Sequence, residues 1–334
     1  MARLAGVSHQ TVSRVVNDLP NVRPATRERV EEAIKQLRYR PSTAARALVT
    51  RRSRTIGLIT TGPPDYGPSN IVFGFSEAAR NERYTVSVSS MLESDESSIR
   101  SAVELMLGQN AEAIVLVAAH REALLRMQAI DLGVPLIAVE SSGRSGFHGV
   151  SIDHYEGARI ATRHLAELGH TRIVHLAGPL DSMDAIERVK GWRDEMAAQG
   201  LPASQPLAGD WSPRSGFAAG AEIAADRRVT AVFSANDQMA VGLINALSEH
   251  GLRVPDDVSI VGFDDTPESE FLIPPLTTLR QDFLRLGQDL MTTLLAALHD
   301  ETSAPMANIV PTLVIRRSTG LARTGTGPPG SAPG

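Results

Sequence analysis

"GVSHQTVSRVVN", residues 6–17, decides how the rest of the chain is read. Val12, Val15 and Val16 recur at helical spacing and give one apolar stripe, while His9, Gln10, Ser13 and Arg14 line the other side. Ser8 can cap a helix over about 9–17, with the tight turn at Gly6 just before it. An ordinary amphipathic surface helix would show the same stripe, so the neighbouring segments decide. "NDLPNV" (17–22) breaks the pattern, and "PATRERVEEAIKQLRY" (24–39) gives a longer amphipathic helix with Val30, Ala33, Ile34 and Leu37 on one side. A helix, a Gly-containing turn and a second helix, backed by a third, is a helix-turn-helix arrangement.

The charge is distributed to match. The net charge is −5, yet residues 1–54 contain 12 Lys+Arg and 4 Asp+Glu. This leaves a head of +8 on a body of −13, the balance expected when the head meets a polyanion and the body stays in solution. The 334 residues are enough for two or three domains, and 42% hydrophobic with 21% charged residues suits large cores rather than disorder. The longest apolar runs, such as "AIVLVAA" (113–119), are strand-sized and far short of a membrane span. "MARLAGVSHQT" shows no signal-peptide core. With no cysteine, neither a disulfide framework nor a thiolate metal site is possible, and a cytoplasmic setting fits.

After a basic, Ala-rich stretch, "PSTAARALVTRRSR" (41–54), which reads as a linker or hinge, the rhythm changes. Strand candidates are 55–61, 84–90, 112–118, 135–141, 172–178, 230–236 and 258–264, with helical stretches between them such as 157–169, 186–200 and 238–251. Such alternation predicts doubly wound parallel sheets. About 260 residues are too many for one, so two Rossmann-like subdomains with a cleft between them are expected. Ligands bind beyond the carboxyl ends of such strands, which here carry Glu140, Asn236, Asp237, Asp264 and Asp265. The tail, 319–334, is rich in Gly, Pro, Ser and Thr and is expected to be disordered. Its GxGxxG (Gly325, Gly327, Gly330) lacks a preceding strand and a following helix and is assigned to chance.

The opening stretch, the hinge, "GDWSPRSGF" (209–217), "SANDQMAVG" (234–242), "VGFDDT" (261–266) and "IPPLTTLRQDF" (273–283) occur in the order that resembles the LacI/GalR family of bacterial transcriptional regulators. The resemblance runs from residue 2 to about 318. It implies a head over 1–40 that binds double-stranded operator DNA, a hinge over 41–54, and a core over 55–318 shaped like a periplasmic sugar-binding protein. Its subdomains would be about 55–152 with 283–310, and 153–280 with 311–318. His9, Gln10 and Arg14 match operator-reading positions, Gln suiting adenine and Arg guanine, with His9 standing where the pattern has a tyrosine. Ser8, Thr11, Ser13 and Asn17 suit phosphate contacts or capping. In the hinge, Leu48 matches a leucine wedged into the minor groove, and Ala45 would let two hinge helices approach.

A sugar site needs planar charged groups for paired hydroxyls, amides, and an aromatic face for the ring. Arg188, Asn236, Asp264, Trp211 and Gln281, with Phe283 nearby, match effector-contacting positions of the family. Pro68 and Ile71 match an apolar rim. Glu140 replaces an aspartate, Asp65 and Tyr66 replace a leucine and a histidine, and Asp184 replaces a serine. These added carboxylates favour a more hydroxylated or larger glycoside. Trp192, in an amphipathic helix, reads as core.

Enzyme readings find no HExxH, GxSxG or GxxxxGK, and adjacent acids such as Asp264 and Asp265 point in different directions, unlike a glycosidase pair. No metal or other cofactor is expected. A free-standing sugar-binding transport protein is the rival reading, disfavoured by the basic head and the missing signal peptide. The expected protein is a sugar-responsive repressor acting as a homodimer. Only Leu321 is large and apolar after Ile315, so no C-terminal heptad seam to pair dimers is expected. The brevity of "MARLA" before Gly6, and a family valine where Met1 stands, raise the expectation of a missing N-terminal piece.

Overall fold

The computed structural model describes residues 1–16, 19–39, 52–139, 149–301 and 308–323. Asn17, Ala45, Leu48 and Glu140, with almost all of the hinge, lie outside them.

The head has three helices: α1 (Ala2–Ala5), α2 (His9–Val16) and α3 (Pro24–Gln36). Gly6, at φ 62°, closes α1 in the left-handed conformation that glycine adopts at no steric cost. The Ser8 hydroxyl accepts the Thr11 amide at 3.1 Å and so caps α2. Ala5, Val15, Val30 and Ala33 are buried together, with Val7, Val12, Val22 and Ile34 packed against them. Leu37, expected in this stripe, is 51% exposed at the C-cap of α3.

The body contains two parallel sheets. In the first, β1 (Thr55–Thr61), β2 (Thr85–Met91), β3 (Ala113–Val117), β4 (Leu136–Val139) and β5 (Gly149–Val150) lie in the order β2-β1-β3-β4-β5. Helices α4 (Tyr66–Asn81), α5 (Glu96–Gly108) and α6 (Arg121–Gln128) connect them. The central strand β3 is buried at all five positions, which explains why it reads as a continuous apolar run.

The second sheet has the order β7-β6-β8-β9, from β6 (Ile173–Ala177), β7 (Leu207–Ala208), β8 (Ala231–Ser234) and β9 (Ser259–Val261). Its helices are α7 (His154–Glu167), α8 (Met183–Ala198), α9 (Pro213–Ala225) and α10 (Asp237–Glu249). An antiparallel pair, β10 (Thr278–Arg280) with β11 (Thr312–Val314), joins this lobe, since Val261 and Asp264 bridge to Thr277 and Arg280. The last helix, α11 (Phe283–Leu298), returns to the first lobe, where Phe283, Leu286, Leu290 and Leu294 join its core. The chain therefore passes between the sheets three times, after β5, after β10 and before β11.

The tail differs from expectation at its start. Residues 319–323 are fixed to the second lobe: Gly320 N–H donates to Ser259 Oγ (3.0 Å), Ala322 N–H to the Leu168 carbonyl (2.8 Å), and His170 bonds the Gly320 carbonyl. Backbone pairing overrides the composition of this piece. The chance GxGxxG lies beyond Arg323, outside the described residues.

Helices α4 and α11 cross at two glycines. A Cβ on Gly74 would lie 2.2 Å from the Phe283 carbonyl oxygen, and one on Gly287 would lie 2.2 Å from the Gly74 carbonyl carbon. These are backbone atoms with no rotamer to change. Gly287→Ala should therefore destabilise the first lobe by about 1–3 kcal/mol, with the loss read from urea unfolding.

Candidate functional site

A cleft opens between the lobes at the carboxyl ends of both sheets. The first lobe supplies Asp65, Tyr66, Pro68 and Ile71 from α4 and the turn before it, His120 after β3, and Val139 at the end of β4. The second supplies Asp184, Arg188, Trp211, Asn236 and Asp264, and Gln281 and Phe283 come from the crossing between β10 and α11. Backbone contact links the lips, since Met183 N–H donates to the Ala119 carbonyl at 3.3 Å. The His120 ring lies against the Asp181 carbonyl at 3.3 Å.

Arg188 lies at the centre and is buried. Nη1 donates to the Ala235 carbonyl, Nη2 lies 3.1 Å from His154 Nδ1, and the guanidinium stands 3.9 Å from the Phe263 ring centroid. The Arg188 Nε is buried with no hydrogen-bond partner. Burial lowers the pKa of this arginine, opposed by Asp264, Asp184 and Asp237. The pKa of the Asp264 carboxyl is pushed well above the usual carboxylate range by burial, with Arg188 pulling the other way. Asp264 has φ 120° and accepts the Gln281 amide at 2.6 Å. Its neighbour Asp265 points elsewhere, to Arg316 and Arg280 at 2.6 and 2.5 Å, and serves the framework.

Asn236 caps α10 by accepting the Met239 amide at 2.9 Å and donates to the Trp211 carbonyl at 3.0 Å. It thereby fixes Trp211, which has φ 70°. The Trp211 ring lies over Gly178, where a Cβ would come within 2.2 Å of the indole. At the mouth, burial raises the Asp65 pKa, with a further push from the Asp210 carboxylate.

In the head, α2 turns His9, Gln10, Ser13 and Arg14 outward together, Ser8 is exposed at the cap, and Thr11 is half-buried. Among the described residues no helix is long and apolar enough to cross a membrane, and no cluster of three metal-ligating side chains occurs.

Residues 1–42 match the bacterial regulatory proteins of the lacI family, and residues 162–319 match a periplasmic binding protein-like domain. The lactose operon repressor of Escherichia coli (strain K12) is 36% identical over 324 residues, 96% of this chain and 90% of the relative. The chain belongs to the lacI family. The HTH-type transcriptional regulator CelR of Thermobifida fusca is 34% identical, over 96% of this chain and 97% of its own. Among solved structures, the lac repressor dimer bound to operator and the anti-inducer ONPF superposes with a TM-score of 0.87 at 35% identity, covering 96% of this chain and 98% of that one. The CelR–cellobiose complex gives 0.72 at 31% identity, covering 95% and 98%. A helix-turn-helix head on a core like a periplasmic binding protein is thus the family architecture as well as the one described here.

The fold brings Arg188, Asn236, Asp264, Trp211, Gln281, Phe283, Pro68 and Ile71 to one cleft. His154 was not singled out from the sequence. Its partners lie 30 and 34 positions away, and no motif surrounds it. One signal was present: Asp153 accepts the Glu156 amide at 2.8 Å, an acidic cap that starts α7 at His154 rather than at 157.

Two buried histidines each make a contribution to stability that acid removes. Burial pulls the His154 pKa down to about 4 and that of His175, stacked on Phe233 at 4.5 Å, down to about 3. An unfolded histidine titrates near 6.5. Between that pH and the native values the unfolded chain binds protons that the native one does not. Their contribution to stability is complete above about pH 6.5 and falls on acidification, by up to about 1.4 kcal/mol per pH unit for each histidine. The raised Asp264 carboxyl acts in the opposite sense over the same range, so the comparison of variants isolates the histidine: in urea unfolding between pH 7 and 4, His175→Phe should lose less stability than the wild type by about one proton's worth of slope.

Proposed function

We propose that this protein is a sugar-responsive transcriptional repressor that binds a pseudo-palindromic operator and is released by a glycoside, galactoside-like in class, held in the cleft. The observation that carries the reading is the set of side chains converging between the two lobes. A buried, partly unsatisfied guanidinium, a carboxyl, an amide and an indole form the complement of a hydroxylated ring. Asp65 and Asp184 add acceptors at the rim and favour a ligand richer in hydroxyls than a single small glycoside. Of the family members compared, the lac repressor was solved with an anti-inducer and CelR with cellobiose, which supports a sugar for this cleft.

The head is assigned to the major groove, with His9, Gln10 and Arg14 reading bases, and Ser8, Thr11, Ser13 and Asn17 at phosphates or the cap. The hinge, with Ala45 and Leu48, is assigned to the minor groove, and Glu140 to the effector. The subdomains are taken as about 55–152 with 283–310, and 153–280 with 311–318. One head offers too few contacts for a genomic site, so the repressor acts as a homodimer. An apolar depression formed by Pro64, Pro68, Val72, Val88, Met91 and Leu92, the last 75% exposed, suits a protein contact on the edge strand β2. The protein catalyses no reaction in this account, and it acts where the chromosome is, in the cytoplasm.

Gln10→Ala should cost about 1–3 kcal/mol at one operator base pair and relax specificity there. Equal weakening toward random and operator duplexes in a gel-shift titration would remove α2 from base reading. Arg188→Ala should abolish the effector response with operator affinity retained, measured by calorimetry with galactosides and the same gel shift. If the variant instead failed to fold, Arg188 would be structural.

A further inference from the structure

Recognition of the effector leaves one cleft residue unexplained. His154 is the first residue of α7, is 6% exposed, and reaches Arg188 on one side and Asp184 on the other. Its Nδ1 lies 3.1 Å from Arg188 Nη2, and its Nε2 lies 3.4 Å from Asp184 Oδ1. A guanidinium nitrogen only donates, so Nδ1 must accept. The ring proton therefore sits on Nε2, facing a carboxylate oxygen that can take it. The two partners fix the tautomer between them.

The consequence falls on Arg188. Its Nη1 is held by the Ala235 carbonyl, its Nη2 by His154, and its face by Phe263 at 3.9 Å. Each arm of the fork thus has one protein acceptor, and the whole plane is fixed before anything enters the cleft. We infer that Asp184, His154 and Arg188 form a positioning relay, in which Asp184 sets the His154 tautomer and His154 orients the Arg188 guanidinium toward the effector. Burial keeps the imidazole neutral near pH 7, as the relay requires. All three line the cleft, and Asp184, its side chain 42% exposed, is the one open to solvent, so its identity tunes the orientation from outside. Orientation toward an effector rests on the sugar-binding function proposed above, while the relay itself is a property of the ligand-free protein.

The test begins without ligand. Long-range proton–nitrogen correlation spectra at pH 7 should show the His154 proton on Nε2 and a bare Nδ1, and a proton on Nδ1 overturns the relay. The η protons of Arg188 should be resolved through slow rotation in the wild type and averaged in His154→Ala. They should be resolved again in His154→Asn, whose side-chain oxygen can stand where Nδ1 was. Unchanged Arg188 signals in a folded His154→Ala overturn the assignment. Should that variant not fold, the tautomer and the Asn variant decide alone. Asp184→Ala should leave the Nε2 proton without its acceptor and speed its exchange with solvent, and Asp184→Asn, whose side-chain oxygen can still accept it, should slow that exchange again. With lactose and cellobiose as probes, His154→Ala should weaken whichever binds by tenfold or more and leave operator affinity unchanged. If neither sugar binds the wild type, the sugar-binding reading fails, and the spectra still decide the relay.

Discussion

A guanidinium withdrawn from water is the constraint on which the rest of the cleft depends. Taking such a charge out of solvent costs several kcal/mol unless its surroundings replace the lost hydration. Around Arg188 that replacement is incomplete: a carbonyl, an imidazole nitrogen, an aromatic face and the field of Asp264 are supplied, and Nε has nothing. The same demand reaches outward through the backbone. Phe263 can sit beneath the guanidinium because α7 passes close by at Gly157, where a Cβ would come within 2.9 Å of the phenyl ring.

The second constraint is how the lobes are joined. Three chain crossings, near Ser151, Gln281 and Val310, join the sheets, and the cleft draws side chains from both sides of them. A ligand that touches both lobes stabilises one angle over others, and can shift the balance only by the difference in its affinity for them. The lip contact between Ala119 and Met183 shows that one such arrangement brings the lobes together at the backbone. The first lobe follows directly on the hinge in the chain, so a change of angle is placed to reach the DNA-binding head.

Much of this was legible in the sequence, for identifiable reasons. Strand β3, expected within 112–118 and found over Ala113–Val117, was legible because strands buried on both faces read as unbroken apolar runs. The α2 stripe was legible because Val12, Val15 and Val16 separate cleanly from the polar side. The two-residue strands β5 and β7 left no pattern, since so short a segment has no period. The fixed start of the tail was hidden because Gly320 and Ala322 are held through backbone groups, which composition does not encode. His154 escaped because its significance lies in contacts to residues on another helix. Residues at strand ends were easy to nominate as site residues, whereas a group that orients them has no signature of its own.

Reciprocal coupling between the cleft and the head tests the account most directly. Trp211 borders the cleft and the only other tryptophan, Trp192, is fully buried, so tryptophan fluorescence can follow effector binding. Titration of a binding glycoside with and without a saturating operator duplex gives two affinities, and titration of the duplex with and without saturating glycoside gives two more. The account predicts that each ligand weakens the other by the same factor, well above one, as linkage requires. Effector affinity that is unchanged by bound operator would contradict it.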